Sequence, residues 1–163
     1  MRIHNRTESK IVTVNDAVRI VNQWRNLGKT VAFTNGCFDI LHEGHIASLS
    51  QAAQFADYLI VGLNSDDSVQ RLKGKERPVN DQHARAVVLA SLIMVDLVVI
   101  FSEDTPLELI QAVLPDVLVK GGDYTVEKIA GAKEVLAHGG SVEIIPLVPG
   151  RSTSNIIDKL KKG

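Results

Sequence analysis

The sequence holds a single cysteine in 163 residues, and aromatic side chains make up only 4% of it. The lone thiol, Cys37, closes no internal disulfide, and no second thiol stands by for a cysteine zinc site. With 18 basic residues against 19 acidic ones and so few rings, there is neither a basic footprint nor a stacking platform for nucleic acid. The longest apolar run, Leu89 to Phe101, is broken by Ser91 and Asp96 and falls short of the ~18–20 residues a membrane-spanning helix needs. The polar stretch Met1 to Lys10 has no apolar core followed by small residues, so it does not read as a secretory signal, and a cytoplasmic location is expected. Any anionic ligand must therefore be held by a local site.

Only five prolines interrupt a chain that is 45% hydrophobic, a length and composition that predict one domain over residues 1–163 with its core at about 11–160. Short apolar runs alternate with stretches of helical period. That alternation predicts an α/β fold, a Rossmann-like three-layer sandwich around a five-stranded parallel sheet. The strands are expected at Val31–Asn35, Tyr58–Leu63, Leu97–Phe101, Val117–Lys120 and Val142–Leu147, near-continuously apolar because helices cover both faces. Helices are expected at Val14–Leu27, after the capping candidates Thr13 and Asn15, and at Gly44–Phe55, Asp81–Met94, Pro106–Val113, Val126–Ala137 and Thr153–Lys161. The charged stretch Ser65–Asn80, with Gly74 and Pro78, reads as an active-site loop.

The most informative segment runs Thr34-Asn35-Gly36-Cys37-Phe38-Asp39-Ile40-Leu41-His42-Glu43-Gly44-His45, from the end of the first strand into the second helix. The carboxyl end of a central strand opens into a crevice in such folds, and a helix start offers unpaired N–H groups to phosphate. His42 and His45, three residues apart with Gly44 between them, can face one cavity while the glycine lets the backbone approach a ligand. Zinc is the weaker reading, because no third histidine or cysteine is spaced to complete a site. Two decoys fail: Gly28-Lys29-Thr30 lacks the earlier glycine of a phosphate-binding loop, and Gly121-Gly122 lacks the third glycine of a dinucleotide fingerprint.

The Thr-Asn-Gly-Cys-Phe-Asp start followed by His-Glu-Gly-His closely resembles the cytidylyltransferase-like nucleotidyltransferase superfamily with its HxGH signature. Asn64-Ser65-Asp66, Lys73-Gly74, Arg77-Pro78, Lys120-Gly121-Gly122-Asp123-Tyr124 and Ser152-Thr153-Ser154-Asn155 look like one branch of it, the heptose 1-phosphate adenylyltransferases, over about residues 11–160. The branch occurs alone or as the C-terminal domain of a bifunctional heptose kinase/adenylyltransferase. The resemblance implies in-line attack by an acceptor phosphate oxygen on the α-phosphorus of ATP, with pyrophosphate leaving.

It further implies that His42, His45, Lys73 and Arg85 are catalytic, with Lys73 and Arg85 holding acceptor phosphate or leaving pyrophosphate from flexible loops. Backbone groups of Thr34, Gly36 and Phe38 would line the phosphate path, which accounts for small or permissive residues there better than packing does. The nucleotide would also meet Asn35, Asp39, Gly44, Lys120, Gly122, Asp123, and a second phosphate cradle at Ser152, Thr153 and Ser154, beside Arg151. Asn64, Asp66, Lys73 and Arg77 are the candidates for the acceptor, and Asp39 for orienting a neighbour or a metal-bound water. Magnesium is implied with ATP, held mostly by phosphate and water, and no protein metal ligand is assigned. The partners implied are ATP, a sugar 1-phosphate and a second copy of the chain, in a pathway to nucleotide-activated heptose for lipopolysaccharide core. No sugar-kinase segment accompanies these motifs, so the phosphorylated heptose is expected from a separate protein. Leu147-Val148-Pro149-Gly150-Arg151 departs from the Arg-Thr-x-Gly-Ile lead of glycerol 3-phosphate cytidylyltransferases, which argues against that acceptor. The alternatives are another acceptor or CTP as donor within the superfamily, and a nucleotide-binding regulatory module without turnover.

Overall fold

Near-continuous apolar strands need cover on both faces, and five of them pair side by side in this chain, all parallel. A computed structural model describes residues 3–162; Met1, Arg2 and Gly163, the ends of the expected domain range, lie outside the described residues. The strands are β1 (Val31–Gly36), β2 (Tyr58–Asn64), β3 (Leu97–Phe101), β4 (Val117–Gly121) and β5 (Ser141–Ile145), in the order β3-β2-β1-β4-β5. The winding direction reverses between β1 and β4, so a crevice opens at their carboxyl ends.

The helices are α1 (Ile3–Glu8), α2 (Val14–Asn26), α3 (Glu43–Ala53), α4 (Asp66–Lys73), α5 (Gln82–Ala90), α6 (Leu107–Val113), α7 (Ala132–Ala137) and α8 (Thr153–Lys162), with a 3-10 turn at Val126–Lys128. One core cluster joins Ala17 and Val21 of α2, Ile110 of α6 and Val135 of α7 to Phe33 and Ile60 of the sheet. The other joins Leu49 and Ala52 of α3 and Ala86 and Leu89 of α5 to Ala32 and Val61 on the opposite face. These are the three layers expected from the alternating pattern. The chain ahead of α2 closes the β3 edge, with Lys10 O accepting from Val98 N–H at 2.8 Å and Val12 N–H donating to Val98 O at 3.0 Å. Among the described residues no helix is long and apolar enough to cross a membrane.

Three expectations change. The expected loop Ser65–Asn80 contains a helix, α4, started by the Ser65 side chain accepting from Ser68 N–H and anchored by buried Val69. The expected helix Val126–Ala137 breaks, because Gly131 takes a left-handed φ of 83° and a Cβ there would lie 2.7 Å from Ile110. The expected helix Asp81–Met94 begins on an Asp81 cap but ends at Ala90.

Candidate active site

The start of α3 is built from its own histidines. His42 is the extended N-cap residue, and its Nδ1 accepts from Gly44 N–H at 3.1 Å. In return His42 N–H donates to His45 Nδ1 at 3.4 Å, and the two rings stack at 3.9 Å. This is a capping box in which imidazoles replace the usual hydroxyl and carboxyl. A ring nitrogen that accepts carries no proton, so in these contacts the ring proton is on Nε2. Burial, and then the charge of His42, lower the pKa of His45 to about 4, so near neutral pH it is an uncharged donor. Gly44 is where only a glycine fits: a Cβ would lie 2.9 Å from His42 Cε1 and 3.1 Å from Arg151 Cβ.

Asp39 leaves the same loop in the other direction. Only 3% exposed, it accepts from Arg77 Nε at 2.9 Å, Val79 N–H at 2.8 Å and Asn80 N–H at 2.9 Å. Burial raises its pKa, but the backbone N–H groups of Asn80 and Val79 and the guanidinium of Arg77 outweigh it and hold the carboxyl below its usual value. It thus fixes the loop that carries Arg77.

Arg85 does not match the expected flexible anion holder. It lies on α5, 2% exposed, and donates to Cys37 O at 2.7 Å, Asn64 O at 2.8 Å, Asn80 O at 3.0 Å and Asp66 Oδ1 at 2.7 Å. Those contacts tie the ends of β1 and β2 to the loop before α5. Asp66, expected on a sugar hydroxyl, is its ion-pair partner, and Asn64 Nδ2 donates to Ser68 Oγ at 2.9 Å.

On the other side Lys120 extends from β4 with its ammonium 5.3 Å from the Tyr124 ring centre. Burial lowers its pKa, opposed by the neighbouring Cys37. Desolvation raises the Cys37 thiol, which argues for an inert cysteine. Before α8, Arg151 pairs with Glu43 at 2.5 Å, Ser152 Oγ accepts from Asn155 N–H at 3.1 Å, and Thr153 Oγ1 donates to Ile40 O at 3.3 Å. Ser152 is therefore a cap as well as a candidate phosphate ligand.

These walls enclose an open cavity of about 620 Å³. Of the candidates read from the sequence, Asn35, Gly36, Phe38, Asp39, His42, Gly44, His45, Asn64, Lys73, Arg77, Lys120, Ser152, Thr153 and Ser154 line it. Thr34, Asp66, Arg85, Gly122 and Asp123 are not among the lining residues. Tyr124, Lys128 and Leu147 line it and were missed; Tyr124 directly follows the Gly-Gly-Asp motif, but the other two carry no sequence signal. Among the described residues no three histidine, cysteine or carboxylate side chains form a metal cluster. Asp39 is engaged through both carboxylate oxygens, and Asp104 at the rim pairs with Arg71 at 2.8 Å.

A crevice over a switch point, a helix start and paired imidazoles suits nucleotide chemistry, and residues 33–158 match the family model described as cytidylyltransferase-like. The chain belongs to the cytidylyltransferase-like family. It is 58% identical over 153 residues, 94% of this chain, to the bifunctional protein HldE of Paramagnetospirillum magneticum, of which that match covers 31%. It is 54% identical over 164 residues, 99% of this chain, to HldE of Mesorhizobium japonicum, of which that match covers 33%. The chain thus spans about a third of the length of the curated relatives it matches. Among solved structures it is similar to the lipopolysaccharide core biosynthesis protein of Thermoplasma volcanium, with 29% identity, a TM-score of 0.59 and coverage of 74% of this chain and 98% of that one. The pantoate-beta-alanine ligase of Francisella tularensis, complexed with beta-gamma ATP and beta-alanine, gives a TM-score of 0.61 at 18% identity over 88% of this chain and 68% of its own. At that identity the likeness speaks for fold alone. The cytidylyltransferase-like match includes both histidines and the Ser152–Ser154 segment.

Proposed function

We propose that the chain is an adenylyltransferase that transfers AMP from ATP to D-glycero-D-manno-heptose 1-phosphate, giving ADP-heptose and pyrophosphate. The observation that carries this reading is the reciprocal cap of His42 and His45, which engages both Nδ1 atoms with the backbone and leaves both Nε2 atoms for a ligand in the cavity that the two rings line. A phosphate oxygen of the acceptor attacks the α-phosphorus, the bond to the bridging oxygen breaks in line, and its electron pair leaves with pyrophosphate. His42 and His45 donate hydrogen bonds as charge grows on the phosphate oxygens, and no proton need move from either ring.

Lys73 and Arg77 hold the acceptor phosphate, while Lys120 and the start of α8 hold the nucleotide phosphates. Arg77 is pre-aimed by Asp39. Magnesium would enter as part of the nucleotide substrate and would neutralise phosphate charge there. The heptose acceptor is supported by the 58% identity to a bifunctional HldE and by the likeness to a lipopolysaccharide core biosynthesis protein. The reading takes the chain as a single nucleotidyltransferase domain working in the cytoplasm as a homodimer, without nucleic acid or membrane partners.

The test offers the purified protein ATP or CTP against heptose 1-phosphate and glycerol 3-phosphate with magnesium, and follows pyrophosphate. Release from ATP plus heptose 1-phosphate alone is expected. Release with CTP or glycerol 3-phosphate keeps the chemistry and overturns the substrate, and binding without release from any pair favours a regulatory module.

A further inference from the structure

Phe38 has a left-handed backbone, with φ of 45°, although it is not a glycine. Such a conformation persists only where the surroundings over-determine it. Here the surroundings are visible: the side chain is 8% exposed within the core cluster of Leu49, Leu63 and Val119. Its ring lies over Gly36, where a Cβ would come within 2.9 Å of Phe38 Cε2. Packing of this ring therefore accounts for the glycine at 36, in contrast to the expectation that only a phosphate path requires it.

The other side of the ring meets the chemistry. Phe38 and His45 make an edge-to-face contact, 5.4 Å between centres at 61°, while His42 stacks on His45 at 3.9 Å. His45 is thus held between two rings, with Nδ1 engaged by the His42 N–H. We propose that Phe38 is a positioning residue for His45: its ring fixes the plane of the imidazole and keeps water from it, leaving Nε2 as the edge that meets phosphate. The left-handed turn at 38 is what brings this ring across Gly36 to the histidine instead of leaving it on the sheet. The proposal rests on the reading of His45 as a hydrogen-bond donor.

The titratable group in contact with His45 is His42, stacked on it at 3.9 Å; Lys73 of α4, Arg77 of the following loop, Lys120 of β4 and Arg151 before α8 line the same cavity, with Asp39 and Glu43 each already paired to an arginine. Burial is the larger cause of the lowered His45 pKa and the charge of the stacked His42 the smaller one, so Phe38 acts through exclusion of water, and that contribution is separable from the charge of His42.

The experiment is an NMR titration of the imidazole resonances in the substrate-free protein, with His45 assigned from its loss in His45→Gln. In the parent protein the His45 midpoint is expected well below the ordinary histidine value, at about 4. In Phe38→Leu the midpoint is expected to rise by about one pH unit or more toward the ordinary histidine value. An unchanged midpoint in a folded Phe38→Leu protein overturns the proposal. If that variant does not fold, Gly36→Ala, whose methyl pushes the same ring aside, is read by the same criterion. Kinetically, Phe38→Leu is expected to lower kcat about ten-fold while the nucleotide KM stays within about two-fold, the signature of a donor displaced in the transition state. A rise in KM alone counts against the proposal. The titration needs no substrate, so its outcome stands apart from the success or failure of the adenylyl-transfer reading.

Discussion

Helices α3 and α8 both start at the cavity, yet they are anchored very differently. Helix α3 buries Gly44, Leu49 and Ala52, and its first turn is locked by two imidazole acceptors and a ring stack. Helix α8 buries no residue, and the exposed pairs Arg151–Glu43 and Lys161–Glu76, with the Thr153 hydroxyl on Ile40 O, attach it to the rest. The difference teaches a division of labour within one site. On the proposed reading, groups that must meet a transition state within a fraction of an ångström are set in the core, whereas groups that would admit and release a polyphosphate stand on an element that can give.

Breaking the rigid side should cost the most. His45→Ala is expected to lower kcat by ~10²–10³ with little change in nucleotide KM, measured by pyrophosphate release. An equal loss of kcat from Thr153→Ala would erase the distinction between the two helix starts. Gly44→Ala comes next: its methyl would lie 2.9 Å from His42 Cε1 and 3.1 Å from Arg151 Cβ, so the cap must shift. About a ten-fold loss of kcat is expected in steady-state assays, since each 1.4 kcal/mol is a factor of about ten. Parent-like turnover would mean that the α3 start is softer than its packing indicates. Arg151→Ala should have the smallest effect, because its pair with Glu43 is more than half exposed, with side-chain exposures of 54% and 64%. Nucleotide KM should rise about two- to five-fold with kcat and melting temperature nearly unchanged. A collapse of kcat in that variant would place α8 on the rigid side.

Legibility in the sequence follows the same line. The central strands were readable because residues such as Val31–Phe33 and Leu59–Val61 are buried on both faces and so apolar without interruption, whereas β5, expected at Val142–Leu147, runs Ser141–Ile145 at the sheet edge and is largely only part-buried. The histidine segment was readable because its chemistry is local, all within twelve consecutive residues. What escaped was the part made by tertiary contact. Helix α4 has only Val69 and Leu72 as large apolar residues, and its acidic first turn and basic last turn disguise it as a charged loop. Arg85 looks, in sequence, like a free cation near a substrate loop. Its four acceptors come from residues 37, 64, 66 and 80, a combination that no periodicity can reveal. Gly131 breaks an otherwise helical run because Ile110, twenty-one residues earlier, occupies the space of a side chain.

The cap formed by His42 and His45 has a consequence for how such chains change over generations. On the proposed reading each imidazole serves two unrelated ends, folding at Nδ1 and chemistry at Nε2, of which the Nδ1 contacts are seen. A descendant that gave up turnover and kept only nucleotide binding would still need acceptors at those two positions to begin α3. Persistence of both histidines is therefore no proof of an active enzyme by itself. Asparagine, a strong helix cap whose amide oxygen can accept much as Nδ1 does, is the replacement through which catalysis can be lost while the fold survives.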